Sequence, residues 1–358
     1  MILKRSFSLK QSKRWIIRCI FSVVIVALIA AFFVPLPYYI YSPGTAEVLS
    51  PIIDVQGGHK TEKGAFMLTT VYVVYAQNVY EFLYGLGLPF HQILPASLVN
   101  GGLSDPEYNA IEVYWMKQSH QDAEIAALRY LHEPIVVNTT GVYVVYVEPD
   151  SKALGKIRPG DVITSFDGVS VANPNTFLKL LSSAHPGQAA RLGVLRGNKR
   201  FMLSVPLIGL PPISAHGSKR AGIGIVPAEA VHIQTPIKIT IHSGDIDGPS
   251  AGFMFSLEII NQLYRHGDLT KGYRIAGTGT MSANGVIGQI GGVSHKVVAA
   301  NAAHADIFFV PADTAAGDTN EAHAKQEAQR LHSAMRIVPV HTLAQAVAFL
   351  KSLPPKKS

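Results

Sequence analysis

The sequence predicts a multidomain protein of mixed α+β and α/β class that begins with one apolar helix. Three observations carry this expectation. Residues 15–34 are almost wholly apolar, residues 133–207 read as short strands cut by Gly and Pro, and residues 208–354 alternate strands with helices. At 358 residues the chain can fill two or three separate cores.

The first element is the stretch "WIIRCIFSVVIVALIAAFFV", Trp15–Val34, whose single charge, Arg18, lies near its start. At about 1.5 Å per residue such a helix reaches roughly 30 Å, the thickness of a hydrocarbon core. Arg18 can extend its head toward the headgroups. The flank carries Lys4, Arg5, Lys10, Lys13 and Arg14, and no acid precedes Glu47. The positive-inside rule therefore predicts a cytoplasmic basic tail (1–14), a transmembrane helix (15–34) and an exported remainder. A cleaved signal peptide shares the basic start. Here the apolar stretch is longer than a usual h-region, and no small-x-small site separates it from the aromatic and proline residues that follow. An uncleaved single-pass anchor in the cell membrane is the expectation.

The same residues account for the charge. The formal net charge is +7, and the six basic residues up to Arg18 supply most of it. The exported part is left nearly neutral, which argues against a nucleic-acid partner, since such a protein needs a basic face on its folded domain. Cys19, the sole cysteine, falls inside the apolar helix, so no disulfide and no cysteine metal site is expected beyond it. The histidines are scattered without an H-E-x-x-H, and no G-x-x-x-x-G-K-[ST] occurs; no metal, nucleotide or other cofactor is expected.

Residues 35–132 read as an extended, proline-rich exit followed by strand and helix. "GAFMLTTVYVVYA" is rich in β-branched and aromatic residues, as strands are. Ser104-Asp105-Pro106 is a helix start, with a cap and a proline in the first turn, and the amphipathic pattern runs to Leu131. From 133 to 207 the pattern changes. "VEPDSKALGKIRPGDVITSFDGVSV" contains two short strands joined by a tight Asp-Gly turn, and "NPNTFLKLLSSA" follows as a capped helix. These motifs resemble a bacterial PDZ domain. That resemblance implies an extended peptide added as a strand, its carboxylate held by backbone amides in a loop. The loop is expected at Gly141, Val142 and Tyr143, and the groove beside the helix carrying Phe177, Leu180 and Leu181. "IGLPPISAHGSK" reads as a linker.

The last region, 208–354, contains "GDIDGPSAGFMFSLEIINQL". Ser250 could be an ordinary N-cap. Its neighbours ask for more: Gly248 and Gly252 keep bulk away from the hydroxyl, and Pro249 stiffens the turn. The helix N-terminus offers amides and a positive dipole end to an oxyanion. Phe253, Phe255, Leu257, Ile259, Ile260 and Leu263 would anchor that helix in a core. A serine is a weak nucleophile without a base. His242 is near in sequence, but "KITIH" reads as a strand. Lys296, four residues beyond a glycine pair and followed by "VVAANAA", is the better candidate. Burial against an apolar face would lower its pKa and leave a neutral amine.

"DGPSAG" together with "GTGTMSANGVIGQIGGVSHK" resembles the proteolytic domain of Lon, peptidase family S16, over about residues 212–350. The whole order is similar to the membrane-anchored PDZ–Lon proteins of Gram-positive bacteria. The resemblance implies Ser250 as nucleophile and Lys296 as general base. It implies Asp247 as a residue shaping the active-site loop, and Thr278 as a hydrogen-bond partner holding the lysine amine. It further implies protein or peptide substrates, partly unfolded or tethered to the membrane, and a homo-oligomeric ring, a hexamer. The chain departs from ATP-dependent Lon in lacking the motor motif, so an ATP-independent peptidase outside the cytoplasm is expected.

Overall fold

The computed structural model describes residues 9–60, 63–211, 220–244 and 246–357, with side chains from Arg14 onward. Lys4, Arg5 and the part of the expected linker from 212 to 219 lie outside the described residues. The chain forms two units. One comprises Met1–Gly44 and Val71–Leu103, the other Thr45–Thr70 and Ser104–Ser358.

The first unit begins with α1 (Leu9–Ala31). Its Arg14–Ala31 stretch has a mean hydropathy of 2.2 and is not buried against protein at all, so by length and composition it can cross a membrane. The stretch expected as a plain extended exit is instead ordered into a sheet. Within the strand Tyr38–Val48, Tyr38 to Tyr41 pair antiparallel with Gln92–Pro95. α2 (Val79–Gly87) is capped by Asn78, whose side chain accepts from the Glu81 amide. Gly85 lets α2 lie close on the strand, because a Cβ there would stand 3.0 Å from Ile40 Cγ2. The short α3 (Ala96–Val99) completes this unit.

The longer segment of the second unit opens with α4 (Asp105–Tyr130), started as expected by Ser104 accepting from the Glu107 amide, with Pro106 in the first turn. It leads into a barrel whose sheet runs Ile225–Gln234, Val136–Val147, Val162–Phe166, Ala189–Arg196, Lys199–Pro206. α5 (Pro174–Ser182) closes the barrel. Phe177 and Leu181 are buried in its core with Val142, Ile163, Leu192 and Val205. Asp161 of the "RPGD" turn is buried and bound on both oxygens by Arg196, at 2.7 and 2.8 Å.

Two expectations are corrected here. Gly141, Val142 and Tyr143 do not form a loop; they lie inside the strand Val136–Val147, where Val142 and Tyr143 pair with strands on both sides and Gly141 falls at a register shift against Ile225–Gln234. Gly141 is needed for a different reason. Its φ is 151°, and a Cβ would come within 2.4 Å of the Ile163 carbonyl oxygen. Phe177 and Leu181, expected to line a groove, are barrel core. The barrel sheet also takes in a strand from beyond residue 207, since Ile225–Gln234 pairs along Val136–Val147, while Arg220–Gly222 pairs with Ile208–Leu210.

The remaining core is built on parallel strands. Within Ala65–Tyr75, Ala65 to Leu68 pair with Arg274–Gly277, which pairs with Ile307–Pro311, which pairs with Arg336–Val340. These runs are apolar on both faces, as parallel strands covered on two sides must be. Phe66, Leu68, Ile275 and Phe309 face α6 (Gly252–Leu263) and α9 (Leu343–Ser352). Met67, Ala276, Phe308 and Val310 face α7 (Val293–Ala302) and α8 (Asn320–Arg330). α6 is buried nearly all round, and α4 packs along it.

If Gly141 serves close strand approach, Gly141→Ala should destabilise the fold by about 1–3 kcal/mol, the range for overpacking a filled site. Chemical denaturation of the purified protein checks this; unchanged stability would contradict it.

Candidate active site

Ser250 sits in a single 3₁₀ turn, Pro249–Ala251, that runs directly into α6. Gly248 enters the turn with φ of 89°, a conformation that only glycine adopts cheaply. The turn is clamped from several sides. The Gly279 amide and the Thr278 hydroxyl both donate to the Ser250 carbonyl, at 2.9 and 3.1 Å. The Phe253 amide returns a bond to the Gly279 carbonyl at 3.2 Å. From α4, the Ser119 hydroxyl donates to the Pro249 carbonyl at 3.1 Å. Gly252 permits this approach, since a Cβ there would lie 2.7 Å from Ser119 Oγ.

Lys296 lies in the first turn of α7, which starts at Gly292 with φ of 68°. The preceding loop is pinned by Asn320, whose side-chain oxygen accepts from the Ile290 amide at 2.8 Å and whose amide group donates to the Ile290 carbonyl at 2.9 Å. Gln289 adds bonds to the Ala312 carbonyl and from the Asn320 amide. "GVIGQIGG" is thus a fixed turn between strand and helix. The geometry delivers the Lys296 amine to 2.6 Å from Ser250 Oγ, with a second bond donated to the Thr69 carbonyl at 3.0 Å. Thr69 is itself held by its hydroxyl on the Gly277 carbonyl at 3.2 Å.

Lys296 is only 4% exposed. Burial lowers its pKa from 10.5 to about 7. A neutral amine keeps a lone pair for the serine proton while still donating to Thr69. The shift also sets a stability cost on the order of 5 kcal/mol. An unfolded lysine takes up its proton below about 10.4, the folded one only below about 7. The cost is therefore fully present below the lower value and fades as pH rises toward the higher.

The structure brings Ser250 and Lys296 together and gives Thr278 a different partner from the one expected. Its hydroxyl fixes the serine turn, and the carbonyl that accepts from the amine belongs to Thr69, a residue the sequence reading did not single out. Asp247 stands at the entrance of the turn, facing α4. There the Glu112 carboxyl is raised first by burial and further by the Asp247 charge, against a bond from Tyr108. Glu112 Oε2 would lie 3.0 Å from a Cβ on Gly248, so the acidic side chain closes over that glycine. Gly141, Val142, Tyr143, Phe177 and Leu181 belong to the barrel. Among the described residues no group of three or more His, Cys, Asp or Glu is arranged to hold a metal ion.

Comparison with known families also finds two modules, with the strand Ile225–Gln234 on the far side of their boundary. Residues 124–207 match the PDZ domain family, and residues 214–351 match the Lon protease (S16) C-terminal proteolytic domain. The chain joins a PDZ domain to a Lon-type S16 proteolytic domain. A Lon protease of Neorickettsia sennetsu is 29% identical over 119 residues, which are 33% of this chain and 13% of that protein. The match thus spans only about an eighth of that relative's length. Among solved structures, the PDZ domain of an SdrC-like protein from Listeria monocytogenes is 28% identical, with 25% of this chain and 87% of that one covered and a TM-score of 0.22. Its counterpart from Listeria innocua is 33% identical, covering 24% and 92%, with a TM-score of 0.22. Thr69, Glu112 and Ser119 all lie before the matched Lon segment. The Lon-type core is therefore completed by chain that precedes the PDZ domain, and the PDZ domain is an insertion within it.

Two outcomes test this site. Lys296→Met, which keeps the volume and removes the charge, leaves the Thr69 carbonyl unpaired, a loss of about 1–3 kcal/mol. It should still be more stable than the parent by about 2–4 kcal/mol near neutral pH, with the advantage shrinking as pH rises toward 10. Denaturation curves at several pH values read this, and a pH-independent difference would contradict the buried neutral amine. Thr278→Val should slow chemistry at Ser250 by about tenfold, through misplacement of the turn. It should leave the pH dependence of stability due to Lys296 unchanged; a change there would return Thr278 to the role of amine partner.

Proposed function

We propose that this chain is an ATP-independent serine endopeptidase with a Ser–Lys dyad, held in a membrane by α1 and acting outside the cytoplasm. The observation that carries this reading is the 2.6 Å separation between Ser250 Oγ and a buried lysine amine. In this mechanism Lys296 Nζ accepts the hydroxyl proton as Ser250 Oγ attacks a peptide carbonyl. The positive end of the α6 dipole, beneath the 3₁₀ turn, favours the developing oxyanion. The lysine then protonates the leaving amine, and water hydrolyses the acyl-enzyme with the same amine as base. The Lon-type match over residues 214–351 supports a protease, and no phosphate-binding motor sequence occurs in this chain.

The PDZ domain receives an extended chain segment as a substrate guide. The edge best suited to it is the first half of Ile225–Gln234. That strand is outermost in its sheet, lies against α5, and follows the glycine-bracketed turn Gly222-Ile223-Gly224. Added-strand binding beside such a turn is the usual mode for a peptide end. Lacking a motor, the enzyme acts on flexible segments, partly unfolded chains or small membrane-tethered proteins. The basic flank of α1 supports a cytoplasmic N-terminus.

The dyad is tested by covalent labelling with a fluorophosphonate probe and by cleavage of an unstructured protein substrate. Parent protein should label and cleave. Ser250→Ala should lose labelling, and Lys296→Ala should lower both readouts by more than about 100-fold. Equal labelling in all three proteins would contradict the proposal and favour a non-catalytic adaptor.

A further inference from the structure

We infer that α2 and its surroundings form a lipid-facing surface beside α1, so that the first unit rests in the bilayer interface as well as being anchored by a helix. The inference builds on the membrane-anchor reading of α1. Its first support is chemical. From Cys19 to Gly44 there is no charged side chain, and from Val71 to Leu103 the only one is Glu81. That carboxylate is folded back on the start of α2, accepting from the Gln77 amide at 2.9 Å and from Asn78 Nδ2 at 3.2 Å.

The second support is the helix itself. α2 turns Gly85 and Phe82 inward, onto Ile40 and Tyr38; the Phe82 and Tyr38 rings are 5.0 Å apart. The opposite face carries Tyr80, Leu83, Tyr84 and Leu86, exposed by 40, 56, 69 and 61%. Nearby elements of the same unit leave Tyr72 and Leu98 exposed as well. An exposed apolar area of this kind, free of charge, marks an interaction surface and not an ordinary water-facing one.

The third support identifies the occupant. Tyr80 Oη donates to the Leu28 carbonyl at 2.5 Å. Leu28 is within the last turn of α1, about 5 Å along the axis from its end. α2 is therefore fixed at the depth where an apolar helix leaves hydrocarbon for headgroups, the level at which tyrosines concentrate. Phe32 and Phe33, both exposed, flank the same exit. Lipid is the partner whose surface is continuous with that of α1. A second copy of the chain is the competing occupant.

The test uses full-length protein in phosphatidylcholine–phosphatidylglycerol vesicles, with Cys19→Ser to remove the native thiol. Single spin labels are placed at Leu83→Cys and Leu86→Cys, with Val24→Cys as the lipid reference and Lys325→Cys as the water reference. Collisions with oxygen and with a polar nickel complex are compared. The oxygen-to-nickel ratio at 83 and 86 should fall between those at 24 and 325 and exceed that at 325 about tenfold, because the polar complex avoids an apolar medium. A water-like ratio at 83 and 86 with a lipid-like ratio at 24 would overturn this inference alone. A water-like ratio at 24 too would overturn the anchor reading with it. Spin–spin broadening at 83 or 86 that disappears on dilution with unlabelled protein would assign the face to a second copy and overturn the lipid assignment.

Discussion

The burial of one amine, that of Lys296, organises the core around Ser250. In the proposed mechanism Lys296 has to lose its water to act as a base near neutral pH, and it can lose water only where the surroundings are tightly filled. That requirement explains the wall of Val297, Ala300 and the parallel strands around it, all buried. It also explains why the loop before α7 is fixed so firmly. A lysine tail has four rotatable bonds, and its entropy opposes a single placement. Asn320 and Gln289 hold the loop, α7 fixes the Cα, and Thr69 and Ser250 define where the amine ends. The stability given up by burying the amine is offset by the apolar core that buries it.

The serine side answers to a second constraint, the clamping of a short turn between two bodies. The strand end at Thr278 and Gly279 grips it on one side, and Ser119 of α4 grips it on the other. α4 also reaches the barrel. The Tyr114 and Tyr143 rings lie 5.3 Å apart, Lys117 stands 3.9 Å over the Tyr143 ring, and Gln121 donates to the Val231 carbonyl at 3.1 Å. One helix thus touches both the Ser250 turn and the outermost strand of the PDZ sheet. The two modules are joined by shared secondary structure as well as by a linker.

Much of this was legible in the sequence, for local reasons. The apolar run of α1, the capped start of α4, the Asp-Gly turn of the barrel and the glycine-bracketed Ser250 are each encoded within a few neighbours. The pairing of Ser250 with Lys296 was also anticipated, from two motifs of a known family. Thr69 could not be found this way. Its strand was recognised, but its role comes from parallel pairing with Arg274–Gly277, about two hundred residues later, and parallel pairing leaves no adjacent turn to mark it. The same holds for Ser119, a small polar residue on a long helix, unremarkable until α6 packs on it. The misplaced peptide loop has a related cause. The family resemblance placed a loop at Gly141, whereas the fold uses this glycine where two strands approach closely.

The claim on which the account rests is that Lys296 is neutral at working pH and touches Ser250. The most direct measurement is the second-order rate of Ser250 modification by a fluorophosphonate as a function of pH, in the intact protein. The account predicts a rate that climbs about tenfold per pH unit in acid and levels off above about 7, as expected for a single base. A rate that is flat with pH, or that keeps rising toward 10 as an ordinary solvated lysine would make it, would contradict the account.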